Sequence, residues 1–159
     1  MQNIQSYLTI GGLLLFSLTS LRFNNAILDT STADMQNKVY LTAFSLADDL
    51  IEEIKVKSFD QNTIQFPTND PSTLTQNLGH GASEVYPNYN DVDDYNGFTR
   101  NVDEPHAEGY VVHCVVQYVE GNDPDVVSST QTFFKKATVT VTSPYMDHPV
   151  SLAFIFTLK

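Results

Sequence analysis

The chain has 159 residues, the length of one domain, or of two if one is very small. With 19 acidic and 8 basic side chains its formal net charge is −11, a field that repels phosphate backbones and argues against nucleic acid as a partner. One cysteine, Cys114, excludes an intrachain disulfide and any multi-cysteine metal cluster.

The N-terminal third carries the strongest signal. Residues 1–37 hold a single basic side chain, Arg22, and two acidic ones, Asp29 and Asp34. Within them, residues 7–21 read YLTIGGLLLFSLTSL and are uncharged. That run is shorter than the ~20 apolar residues of a comfortable membrane span. The preceding MQNIQS has no basic residue, and no A-x-A pattern follows, so a secretory signal peptide fits poorly. The first proline is Pro67, and the only glycines before it are Gly11 and Gly12. Tyr40, Ala43, Phe44, Ala47, Leu50, Ile51 and Ile54 recur at spacings of three and four, the period of an amphipathic helix. Glu52/Lys55 and Glu53/Lys57 have the spacing of supporting pairs on an exposed helix face. These features predict one helix over residues 4–58, on the order of 80 Å long. Residues 1–28 would be its apolar half, with Ile10, Leu13, Leu14, Phe16 and Leu18 unable to remain bare in water. Each Gly of the Gly11-Gly12 pair costs a helix about 1 kcal/mol relative to Ala. The pair marks either a point of bending or melting, or a close approach between helices. Arg22 would need an acidic partner if buried, for which Asp29 and Asp34 of a neighbouring copy are candidates, or would snorkel to solvent or headgroups.

Residues 59–109 change character. Pro67, Pro71, Pro87 and Pro105, with Gly79, Gly81, Gly97 and Gly109 and many Asn and Asp, predict a loop region that lies outermost. Asp91, Asp93, Asp94 and Asn96 offer the oxygen donors that Ca²⁺ takes. The EF-hand spacing is not met, because Tyr95 falls on its third ligand position, and a solvated acidic turn is the better expectation from these residues alone. Gly79-His80-Gly81 reads as a turn. No cofactor other than this candidate Ca²⁺ is expected.

Three segments rich in β-branched and aromatic residues follow: 110–119, 133–142 and 150–158. EGNDPD (120–125) and SPYMDHP (143–149) separate them as turns, which predicts three antiparallel strands. Val111, Cys114 and Val116 (across a register break), Val139, Val141, Leu152, Phe154 and Phe156 are expected to face the helix stripe at Ala43, Phe44, Ala47, Leu50 and Ile54. Thr138, Thr140 and Thr142 would face away. His113 and Cys114 must point to opposite faces of their strand, so they form no dyad. Neither they nor His80, His106 and His148 make a convergent acid–base or nucleophile set, so an enzyme is not expected. The fold class is therefore α+β, a long N-terminal helix (1–58) packed on a small antiparallel sheet within a loop-and-sheet head (59–159).

An uncharged apolar N-terminal stretch running into a long amphipathic helix, then a loop and a C-terminal sheet, resembles a type IV pilin or a related pseudopilin. SLADDLIEEIKVKSFD (45–60) and VTVTSPYMDHPVSLAFIFT (139–157) are similar to the corresponding parts of such proteins. The resemblance spans the whole chain in architecture and the N-terminal third in residue character. It implies a structural subunit of an extracellular filament at the cell surface, held in the inner membrane before assembly and handled by pilus assembly machinery. Met1 would take the place of the mature terminal residue, and Gln5 stands where pilins place a glutamate. It also implies an assembly set of Met1, Gln5, Ile10, Leu13, Leu14, Phe16, Leu18 and Arg22. The alternatives are a minor pilin or pseudopilin of a secretion machine, and a binding module at the cell surface.

Overall fold

A helix tolerates no proline in its interior, and the first 55 residues contain none. A computed structural model, describing residues 2–103 and 107–158, has one continuous α-helix, α1, at Gln2–Lys55. The chain divides into two compact units, Met1–Val39 and Tyr40–Lys159, and α1 contributes to both. Met1 and His106 lie outside the described residues.

The predicted helix end at residue 58 is three residues too long. Lys57 N–H donates to Ile54 at 3.0 Å, tightening the last turn, and Ser58 instead exchanges backbone hydrogen bonds with Asn90 and Val92. The pairing of Ser58 beside Asp91 removes the residue from the helix. A long-range partner outcompetes one more helical turn.

The described residues of the second unit hold five strands: β1 Thr99–Val102, β2 Tyr110–Glu120, β3 Asp123–Val127, β4 Phe134–Thr142 and β5 Val150–Thr157. Their order is β1-β2-β4-β5, all antiparallel, with β3 pairing the far end of β2. Three of them match the expected strands closely. β1 and β3 were hidden in the loop and turn readings because TRNV and DPDVV lack an apolar alternation. Strong neighbours pair them into the sheet all the same.

Side-chain alternation puts Val112, Cys114 and Val116 of β2 beside Val141, Val139 and Ala137 of β4, all buried. Val111 is only half-buried, so the expected register break does not exist; β2 alternates without interruption through Tyr118. From Tyr40 onward α1 packs within this unit through Ala43, Ala47, Leu50, Ile51 and Ile54, all buried. Phe44 is a correction: it is 48% exposed, because position 44 falls beside the stripe defined by 43, 47, 50 and 54. Phe44→Asp is therefore expected to leave the unit folded, within about 1 kcal/mol of the parent. Ile54→Ala should cost about 2–5 kcal/mol in urea denaturation, since it opens a cavity at a fully buried site.

The loop region is not an outer polar layer throughout. Leu74, Tyr89, Val92, Tyr95 and Phe98 are buried, and Tyr86, Tyr89, Tyr95 and Phe98 form an aromatic cluster of edge-to-face and tilted contacts. Tyr95 and Tyr86 hydroxyls donate to Glu53 at 2.7 and 3.2 Å, while Lys57 donates to the Tyr89 carbonyl. The expected Glu53/Lys57 pair thus gives way to partners from the loop, whereas Lys55–Glu52 forms as expected.

Candidate functional site

Two features stand out chemically, one in each unit. The first is the surface of α1 before Val39. Every described residue from 3 to 38 except Gly11 is exposed, including Gln5 and Arg22. Ile10, Leu13, Leu14, Phe16 and Leu18 are between 55% and 74% exposed, with Ile4, Tyr7, Leu8, Leu15, Leu21 and Phe23 similarly bare. An 18-residue window in this helix is apolar enough to cross a membrane by length and composition, and none of that window is buried. Gly11 and Gly12 sit in unbroken helix, and a Cβ added at either meets nothing within 4 Å. They floor a shallow apolar groove of about 640 Å³ flanked by Ile4, Tyr7, Leu8 and Leu15.

The second feature is a buried charge cluster centred on Lys135. Its ammonium donates to Asp60 Oδ2 at 2.7 Å, to Asp93 Oδ1 and to the Phe59 carbonyl at 2.9 Å, and lies over the Phe59 ring. Lys135 is fully buried. Asp60 also accepts from the backbone N–H of Asn62 and Thr75, the Thr75 hydroxyl and the Tyr118 hydroxyl. Burial opposes ionisation of Asp60, but Lys135 and these donors outweigh it and hold its carboxyl below the usual range.

Asp91, Asp93 and Asp94 line the open side of the same cluster. All are buried, so the expectation of a solvated turn is overturned. The turn is drawn inward because Ser58 pairs at Asp91 and because Tyr95 and Val92 are core residues. Asp91 Oδ1 accepts from the Asp93 N–H at 2.7 Å, and Asp94 Oδ2 accepts from Asn90 and Asp91. Burial, with Asp94 nearby, pushes the Asp91 carboxyl up to about 6; burial pushes Asp93 up to about 7, although Lys135 pulls the other way. Asn96 leaves the expected donor set: its amide donates to the Leu78 carbonyl and accepts from the Val116 N–H. Among the described residues, no three His, Cys, Asp or Glu side chains converge as a ready-made metal cage.

A pH dependence follows from these shifts. Asp91 and Asp93 bind protons more tightly folded than unfolded, so their contribution to stability is complete below about pH 4. It is lost as pH rises through 6 and 7. Asp60 has the opposite sign, and its contribution disappears only as pH falls below its unfolded value of 3.8. The second unit should therefore melt roughly 5 °C higher at about pH 5 than at about pH 8 in metal-free buffer. A calorimetric scan across that range checks this. Asp93→Asn should flatten the slope.

Sequence reasoning passed over Lys135, Asp60 and Tyr118. Parity in β4 held the signal, since Lys135 shares its face with Ala137, Val139 and Val141, and Tyr118 lies directly opposite it on β2. Lys136, one residue on, points outward and pairs with Asp125 at 2.7 Å. Cys114 is buried as a small apolar residue should be, and burial pushes its thiol up to about 12, which removes it as a nucleophile. His113, on the opposite face, bonds Thr99. No protein-family model matches the chain, and no curated protein and no solved structure matches it.

Proposed function

We propose that the chain is a structural subunit of a type IV pilus-like extracellular filament, held in the inner membrane before assembly and packed through its apolar N-terminal helix afterwards. The observation that carries this reading is the largely apolar surface of α1 from Ile4 to Leu28, with Arg22 its one charge and its large apolar side chains exposed among the described residues. Burying each such side chain contributes roughly 1.5–3 kcal/mol. A lipid bilayer can provide the burial first and neighbouring copies of the helix later. Met1, outside the described residues, and Gln5 belong to the assembly set under this reading, and Gln5 accepts a hydrogen bond from a neighbour's terminal ammonium without forming an ion pair. The groove at Gly11 and Gly12 suits close approach by a neighbouring helix, as small residues do in membranes. The acidic second unit would face solvent, where like charge limits clumping of filaments.

The test is recovery of helical filaments from cells and imaging of the subunit within them. A chain beginning at Leu28 should be soluble and monomeric in analytical ultracentrifugation. Polymerisation of that shortened chain into the same filament would sink the assignment of the helical core. Filaments that contain the full chain only in trace amounts would identify it instead as a minor pilin or pseudopilin.

A further inference from the structure

The acidic turn borders a cleft of about 530 Å³, with Asp91, Asp93, Asp94 and Glu84 on one side and the amides of Asn62 and Asn77 among the remaining walls. Among the described residues, no Lys or Arg lines it. Asp91 and Asp93 are each 1% exposed, yet Asp91 Oδ2 and Asp93 Oδ2 have no hydrogen-bond partner. Buried carboxylate oxygens without a donor are costly, and in native proteins such atoms mark a water or an ion. Charge sharpens the choice. Of the four buried carboxylates Asp60, Asp91, Asp93 and Asp94, only Asp60 Oδ2 and Asp93 Oδ1 pair with the buried Lys135 ammonium among the described residues. The unpaired oxygens are therefore those that Lys135 does not reach.

We propose that this cleft binds Ca²⁺, with Asp91 Oδ2 and Asp93 Oδ2 as direct ligands and amide oxygens and water completing the shell. All donors are oxygen, which selects a hard cation over zinc or copper. The cleft is roomy and its walls are loops, which suits the irregular six- to eightfold shell of Ca²⁺ better than the rigid octahedron of Mg²⁺. With two carboxylate oxygens as the direct protein charge, the affinity falls in the weak class, with Kd of about 10⁻⁴–10⁻³ M. Asp93 then bridges Lys135 and the ion, tying β4 and the turn at 91–94 to one another. The site belongs to the second unit and stands or falls independently of the filament reading.

The full chain, stripped of metal with a chelator and held in detergent at about pH 7.5, tests it by titration with CaCl₂. Melting temperature and Tb³⁺ luminescence sensitised by the nearby Tyr89 and Tyr95 are the two readouts. The expected result is a saturable rise in melting temperature, a Tb³⁺ signal displaced by Ca²⁺, and a response to Mg²⁺ at least about tenfold weaker. Asp91→Asn and Asp93→Asn should each weaken Ca²⁺ binding at least about tenfold, while Asp125→Asn, outside the cleft, should leave it unchanged. Neutral amides at buried positions preserve packing, and retained far-ultraviolet circular dichroism will show that both variants fold. The proposal is overturned by absence of a saturable Ca²⁺ response up to about 10 mM, ten times the weak limit of that class. It is equally overturned if folded Asp91→Asn and Asp93→Asn respond like the parent.

Discussion

Lys135→Met is expected to cost the second unit about 3–5 kcal/mol, a large share of the stability of a domain this size. The reason is not the worth of the ion pair itself, since moving an ammonium and a carboxylate out of water consumes most of what their attraction returns. The cost comes from what is left behind. Asp60 and Asp93 accept from Lys135 where their side chains are at most 2% exposed, and removal of the ammonium leaves each carboxyl either a buried unmatched charge or obliged to take up a proton. Asp60 keeps Asn62, Thr75 and Tyr118 as donors, so the heavier penalty falls on Asp93, whose second oxygen already lacks a partner. Urea denaturation should show a lower midpoint with an unchanged slope. The triple variant Lys135→Met, Asp60→Asn, Asp93→Asn should recover much of the loss, because no buried charge then remains unmatched at the centre. Failure of the triple variant to improve on the single one would mean that Lys135 acts mainly through packing against the Phe59 and Tyr118 rings.

Under the proposed filament reading, Leu14→Asp is expected to abolish both membrane retention and filament assembly while leaving the second unit intact. Leu at the centre of a spanning helix contributes about −0.3 to −0.6 kcal/mol to insertion and Asp opposes it by about 2.5–3.5. The exchange is thus worth about 3–4 kcal/mol, a factor of several hundred in partitioning. Leu14 is 61% exposed and belongs to the first unit, so folding of the second unit is expected to be unaffected. Membrane fractionation and negative-stain imaging give the first readouts, and an unshifted melting transition gives the control. Normal filaments from this variant would place the intersubunit contact elsewhere on the chain.

Residue pattern alone determined the elements that depend on local regularity. α1 was legible because 66 residues pass before the first proline and because its apolar positions keep the helical period from 40 to 54. β2, β4 and β5 were legible because β-branched and aromatic residues run between turn clusters. The exposed apolar start of the helix could be foreseen for the same reason, since no amphipathic pattern exists there for a core to use.

Tertiary structure decided what depends on pairing across many residues. β1 and β3 exist because β2 offers them an edge, not because TRNV or DPDVV prefer to be strands. The helix stops at Lys55 because Ser58 has a partner 33 residues away at Asp91. The same contact turns an acidic loop, which reads as solvated in sequence, into a buried cluster. Lys135 and Asp60 are 75 residues apart, and a lysine beside a second lysine gives no local reason to choose which one turns inward. The sheet makes that choice through its two-residue alternation, which puts Lys135 among Ala137, Val139 and Val141 and sends Lys136 to the surface. A charge in that row can be buried only where carboxylates come to meet it, and the loop at 59–60 and the turn at 91–94 supply them.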